Sequence, residues 1–229
     1  MIEKIEQQNL LIRVLVLYGL MLIYSGMRLT MDTGNEIISR YPMVFFIIDI
    51  LTFLIFSIYI IRTFRLPIKG KFFTPKNLLL LSLGIIFVFL YGNVEFWLGS
   101  QGFFPPDMNS AGVNGFIQSL PVAGFFFVNI MAPVMEESIH RGVFFQLFFQ
   151  KESKWRPFLQ ILISGLIFGS LHVQAGEFAW QNLLNYSIMG WALGTIYCFS
   201  KDLKTNILIH FFNNAAIQFI PGIFTILFR

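Results

Sequence analysis

The residues in this chain best suited to chemistry are few, and most lie between apolar runs. Pro133-Val134-Met135-Glu136-Glu137-Ser138-Ile139-His140-Arg141-Gly142 sets two carboxylates, a histidine and an arginine between Phe125-Phe126-Phe127-Val128 and Val143-Phe144-Phe145. Ionisable side chains at membrane depth are costly, which makes them functional candidates by default. On a helix Glu136 and His140 share one face, and Glu137 and Arg141 share the next, each pair four residues apart. One pair can do chemistry while the other, Glu137 with Arg141, reads first as a structural ion pair. The other two histidines follow: His172 closes Phe168-Gly169-Ser170-Leu171-His172, and His210 opens His210-Phe211-Phe212-Asn213-Asn214, one helical turn before Asn214.

A carboxylate in a low-dielectric cavity suits general-base work, and Glu136 is the best placed for it. His172 and His210 then allow two chemistries. They can hold a metal-bound water, with Zn2+ the natural ion for imidazole and carboxylate ligands and Glu136 as a third ligand. Alternatively, without metal, Glu136 and His172 activate water while His210 and Asn214 stabilise the oxyanion. No HExxH motif is present to favour the first.

These side chains need a scaffold that crosses a bilayer. The 229 residues are 56% hydrophobic, 17% aromatic and only 12% charged, against about 25% charged in an ordinary soluble domain. The composition implies an all-α, polytopic transmembrane bundle in a single domain, residues 1–229. Marking spans of about 20 residues gives seven helices: about Leu10–Met27, Tyr41–Ile61, Asn77–Val94, Pro121–Gln150, Pro157–His172, Phe178–Ser200 and Thr205–Phe219. Met108–Met135, with Gly112, Gly115, Pro121 and Gly124, is expected to be partly loop or re-entrant. After Pro221-Gly222 too few residues remain for an eighth span, and a kinked extension or short surface helix is expected there. Arg13 is expected to snorkel toward the interface. No small-residue cleavage site follows the first apolar run, so an uncleaved helix is expected there rather than a signal peptide.

Basic residues alternate between connections. Arg62, Arg65, Lys69, Lys71 and Lys76 lie in the second, Lys151, Lys154 and Arg156 in the fourth, Lys201 and Lys204 in the sixth. The third and fifth connections carry Glu95, Asp107 and Glu177 and no basic residue. This pattern puts the N-terminus in the cytoplasm. The net charge of +4 is accounted for by these loops and does not point to nucleic acid. Cys198 cannot form an internal disulfide and reads as packing. Asp49 is equally a packing residue or a functional one. Gly190-x-x-x-Gly194 reads as close helix contact, and the phenylalanine runs read as core or lipid-facing filler.

The three polar motifs, in this order, resemble the CAAX-protease and bacteriocin-processing (CPBP or Abi) family of intramembrane proteases. The pattern is E-E-x-x-x-R, F-x-x-x-H, H-x-x-x-N, here Glu136-Glu137-x-x-x-Arg141, Phe168-x-x-x-His172 and His210-x-x-x-Asn214. Arg141-Gly142 and the Gly190, Gly194, Tyr197 set are also similar. The likeness covers about Phe125 to Ala216, a catalytic core of about 119–219, with 1–100 supplying accessory membrane helices. His140 departs from the pattern, standing where the family has an apolar residue. The resemblance implies hydrolysis of a peptide bond in or beside the membrane. It implies Glu136, His172, His210 and Asn214 as catalytic and Glu137 and Arg141 as supporting residues. The expected substrate is a peptide or membrane protein, and the expected location the plasma membrane of a prokaryote. A non-catalytic bacteriocin-immunity or scaffold protein is the competing class. A proton-coupled transporter ranks below it, since no matching halves with broken helices are visible. If the protein is an enzyme, the four catalytic candidates should converge on one water-accessible cavity.

Overall fold

The computed structural model of the protein describes residues 9–32, 34–68, 74–149, 153–173 and 178–227, with side chains to residue 216. Lys69, Lys71, Lys151 and Glu177, four of the loop charges counted above, lie outside the described residues. The described residues are mostly helical, and no strand occurs among them. The helices are α1 (Leu10–Gly26), α2 (Glu36–Arg40), α3 (Pro42–Thr63), α4 (Pro75–Ser100), α5 (Met108–Ser119), α6 (Pro121–Phe148), α7 (Arg156–His172), α8 (Trp180–Ser200) and α9 (Leu203–Leu227). Three of them, α3, α4 and α6, are long and apolar enough to cross a bilayer, and α1 is apolar over 17 residues. The chain is thus an all-α membrane protein.

Two expectations are corrected. Met108–Ser119 is helical, not loop, because Asp107 caps it: its carboxylate accepts the Asn109 N–H at 3.0 Å and its carbonyl the Ala111 N–H at 3.0 Å. The last helix does not end at Phe219; its backbone runs through Pro221-Gly222 to Leu227. A proline removes one backbone donor and need not stop a helix.

The chain divides into two compact units, residues 1–68 with 112–153 and residues 69–111 with 154–229. Each joins a piece of the N-terminal hundred residues to a later piece, a partition that no composition shift marks.

In the first unit, Asn9 caps α1 by accepting the Ile12 N–H at 3.0 Å. A 3-10 turn, Leu29–Met31, follows α1. Asp49, fully buried in the apolar α3, is satisfied by this turn. Its carboxylate accepts the N–H groups of Leu29 (3.1 Å) and Thr30 (2.8 Å) and the Thr30 hydroxyl (2.6 Å). Buried polar groups are tolerated when bonded in this way. Asp49 therefore pins α3 to the turn after α1, the structural alternative of the two.

Helix α6 is continuous but not uniformly α. Pro133 has no N–H to give, and its ring would strike the carbonyl four residues back. The chain meets this with a π segment at Phe127–Met131, where the Ala132 N–H reaches back five residues to the Phe127 carbonyl. A second π segment, Ser138–Val143, follows the paired acids, with the Phe144 N–H bonded to the Ile139 carbonyl. Such wide turns inside α-helices recur at functional sites.

In the second unit, glycines set the distance between α7 and α8. A Cβ added at Gly165 would lie 2.0 Å from Trp191 Cδ1, one at Gly169 2.2 Å from Ser187 Oγ, and one at Gly190 2.8 Å from the Gly165 Cα. The Trp191 indole N–H also donates to the Leu162 carbonyl at 3.1 Å. The contact expected of Gly190-x-x-x-Gly194 is thus real and is matched by Gly165 and Gly169 on the facing helix. Gly84 of α4 serves α9 likewise, since its Cβ would lie 2.4 Å from Ile209 Cδ1. Gly165→Ala should destabilise the detergent-solubilised protein by about 1–3 kcal/mol, as overpacked cores do. Gly92→Ala should not, because nothing lies within 4 Å of its Cβ position. Thermal aggregation followed by size-exclusion chromatography compares the two.

Candidate active-site residues

The first unit holds Glu136, Glu137, His140 and Arg141. Around them α6 is buried on every side: Met135, Glu137 through Phe145 and Leu147 are all buried, and Glu136 half-buried. The four-residue spacing of Glu137 and Arg141 is realised as an ion pair. Arg141 Nη1 donates to Glu137 Oε1 at 3.0 Å, and both side chains are fully excluded from solvent. His140 is also buried, within the π segment.

Glu136 has a partner the motif did not reveal. The Tyr24 hydroxyl, from α1, donates to Glu136 Oε1 at 3.3 Å. Eleven residues along α1, Arg13 Nη1 donates to the Leu147 carbonyl at 2.9 Å, eleven residues from Glu136 on α6. The equal steps put α1 antiparallel to α6, with fixed contacts about 16 Å apart at 1.5 Å rise per residue. Arg13 is thus a tether on the orphan carbonyls at the end of α6. The buried stripe of α1, namely Leu17, Leu20 and Tyr24, lies at helical spacing between and at these contacts. The Arg28 guanidinium sits 5.0 Å from the Tyr24 ring centroid and holds it from the other end of the turn. The only sequence sign of this arrangement was that arginine and tyrosine in one apolar helix.

The second unit holds His172, His210 and Asn214. His172, the last residue of α7, places Nδ1 2.7 Å from the Phe168 carbonyl oxygen. A carbonyl only accepts, so Nδ1 carries the proton and Nε2 is the basic nitrogen of the neutral ring. The ring lies 4.4 Å from that of Phe168 and 4.8 Å from that of Tyr186 (centroid to centroid). Phe168 also meets His210 edge-on at 5.7 Å, so one phenylalanine contacts both histidines. His210 is buried at 3% exposure. Asn206, one turn earlier on α9, donates from Nδ2 to the Leu193 carbonyl at 2.7 Å. Asn214, half-buried, accepts from Asn213 Nδ2 at 3.1 Å.

Glu95 and Asp107 are engaged with α8 in the same unit. The Asn185 amide donates to Glu95 Oε1 at 2.6 Å and accepts the Tyr91 hydroxyl at 2.5 Å. The Tyr186 hydroxyl donates to Asp107 Oδ2. Among the described residues of either unit, no three His, Cys, Asp or Glu side chains converge on a point where an ion could sit.

Residues 118–216 match the family described as type II CAAX prenyl endopeptidase Rce1-like. Over this segment the chain is similar to the CAAX-protease and bacteriocin-processing family of membrane proteins. It is 33% identical over 140 residues to the UPF0177 protein YaiF of Lactococcus lactis, covering 59% of this chain and 60% of that protein. It is 26% identical over 170 residues to the UPF0177 protein YvdC of the same organism, covering 73% of this chain and 61% of that one. It is also 26% identical over 126 residues to YdiL of Bacillus subtilis, whose name gives it provisionally as a membrane peptidase, covering 55% of this chain and 47% of that protein. The chain thus spans roughly half to three-fifths of the length of these relatives. No solved structure matches it.

Proposed function

We propose that the chain is an intramembrane endopeptidase hydrolysing a peptide bond of a membrane-associated peptide or protein. The observation that carries this reading is the ordered set Glu136-Glu137-x-x-x-Arg141, Phe168-x-x-x-His172 and His210-x-x-x-Asn214, lying wholly within the matched segment.

Glu136 is the general base: its carboxylate takes a proton from the attacking water and is oriented by the Tyr24 hydroxyl. Glu137 and Arg141 hold α6 in shape. His172 offers Nε2 to the same reaction, and His210 and Asn214 stabilise the developing oxyanion. Neither unit alone supplies a complete metal-ligand set, so no step is assigned to a metal. His172 and His210 with Glu136 are nevertheless the ligand types Zn2+ takes, and the ion remains part of the proposal in that form. The protein is proposed to reside in a prokaryotic plasma membrane with its N-terminus in the cytoplasm.

Cleavage of candidate membrane peptides by purified protein tests the activity, and metal analysis of wild type and His172→Ala tests the ion. Failure to cleave any of a broad library of membrane peptides, with the protein folded, overturns the enzyme. For topology, single cysteines at Gln101 and Lys154 in a Cys198→Ser background should label from outside at Gln101 only. Labelling of intact cells at Lys154 instead reverses the orientation.

A further inference from the structure

We infer that Tyr186 is a positioning residue for His172, held in place by Asp107 at the start of α5. As a contribution to catalysis this rests on the peptidase reading; as a statement about the imidazole it does not.

His172 ends its helix at Val173, which is extended. A side chain on a last helical turn is poorly constrained by its own backbone, since that turn frays. Contacts that compensate include the Nδ1–H bond to the Phe168 carbonyl, the Phe168 ring and the Tyr186 ring. The first two come from α7 itself and move with it. Tyr186 comes from α8, and its ring lies nearly parallel to the imidazole, at 26°. It is therefore a contact that fixes the ring relative to a second element.

Tyr186 is itself fixed at its far end. Its hydroxyl donates to Asp107, accepts from Asn109 Nδ2 at 3.1 Å and lies 3.2 Å from Ser110 Oγ. The other Asp107 contacts, Ser110 Oγ at 2.7 Å and the Asn109 N–H at 3.0 Å, are those of a helix cap. One carboxylate thus starts α5 and tethers the phenol. The preceding residue, Asn185, is bound to Tyr91 and Glu95 of α4, so α8 is secured at this turn from two sides. The spacing of α7 and α8 is set just below by Gly169 against Ser187. Little freedom is left for the Tyr186 ring to move away from His172. Asp107 lies outside residues 118–216, so the matched segment draws on a residue beyond it to hold its own histidine.

The test reads the imidazole directly. Full-length protein in detergent is treated with diethylpyrocarbonate, and carbethoxylation of His172 and His210 is followed by peptide mass spectrometry. Tyr186→Leu should speed modification of His172 about fivefold, the scale of losing one aromatic pair, and leave the buried His210 unchanged. Tyr186→Phe and Asp107→Asn keep a ring but loosen the tether and should give about half that change on the same scale. If Tyr186→Leu does not accumulate, these two variants decide. Rates at His172 equal to wild type in every variant that accumulates overturn the inference. In the cleavage assay Tyr186→Phe should lower kcat and leave KM unchanged; a rise in KM alone overturns the positioning role. Absence of cleavage by the wild type would defeat the peptidase reading while the His172 rates still decide this one.

Discussion

Glu136→Gln lowers kcat for peptide cleavage by about 10³-fold, within the range a general base contributes, while the protein accumulates as wild type. The amide is nearly isosteric and still accepts the Tyr24 hydroxyl through its carbonyl oxygen, so the α1–α6 contact at 3.3 Å survives the change. What is lost is the ability to take a proton. Tyr24→Phe makes the complementary cut: it keeps the ring under Arg28 and removes only the hydroxyl. A hydrogen bond to a charged group is worth more than a neutral one, so kcat should fall about tenfold with KM unchanged. The measurement is steady-state cleavage of one membrane peptide by wild type, Glu136→Gln, Tyr24→Phe and Glu137→Gln side by side. If Glu136→Gln cleaves normally and Glu137→Gln does not, the roles of the two acids are reversed.

How much of this was legible in the sequence depends on the range of the interaction. The spans were, because a helix that meets lipid must be apolar along its length; α3 and α4 fall where hydropathy places them. Local pairs were too: Glu137 with Arg141, and the glycine contacts of α8, follow from four-residue spacing alone. Hidden were the contacts joining distant segments. Tyr24 and Arg13 mark α1 as carrying polar groups but do not say that it runs beside α6, because the matching eleven-residue steps exist only once two helices are paired. Asp107 looked like a loop acid, and Asp49 like an acid stranded in a span. Each is a cap or an anchor whose donors, Asn109 and Ser110 for one and Leu29 and Thr30 for the other, become apparent only in three dimensions. The π segments were equally hidden. Pro133 removes a donor inside α6, but a kink, a break and a widened turn all answer the same missing donor.

Arg141→Met should be the most destabilising single change in the protein. Arg141 and Glu137 are both fully excluded from solvent and joined at 3.0 Å. Forming such a pair from hydrated ions gains little, because desolvation offsets the attraction. Breaking one is a different matter: the carboxylate left behind stays buried with its guanidinium gone, at a cost of about 3–5 kcal/mol. That is a large share of the roughly 5–15 kcal/mol by which a folded chain is stable. Arg141→Lys should recover only part, since an ammonium does not reproduce the planar fork of a guanidinium. The double variant Glu137→Gln/Arg141→Met removes both charges and should regain most of the loss. Thermal denaturation of the four proteins in one detergent reads the series, as a double-mutant cycle with the Glu137→Gln single variant added. If Arg141→Met is as stable as the double variant, the pair does not hold α6. Should the double variant be stable yet inactive, Glu137 and Arg141 contribute to the reaction beyond keeping the helix in shape.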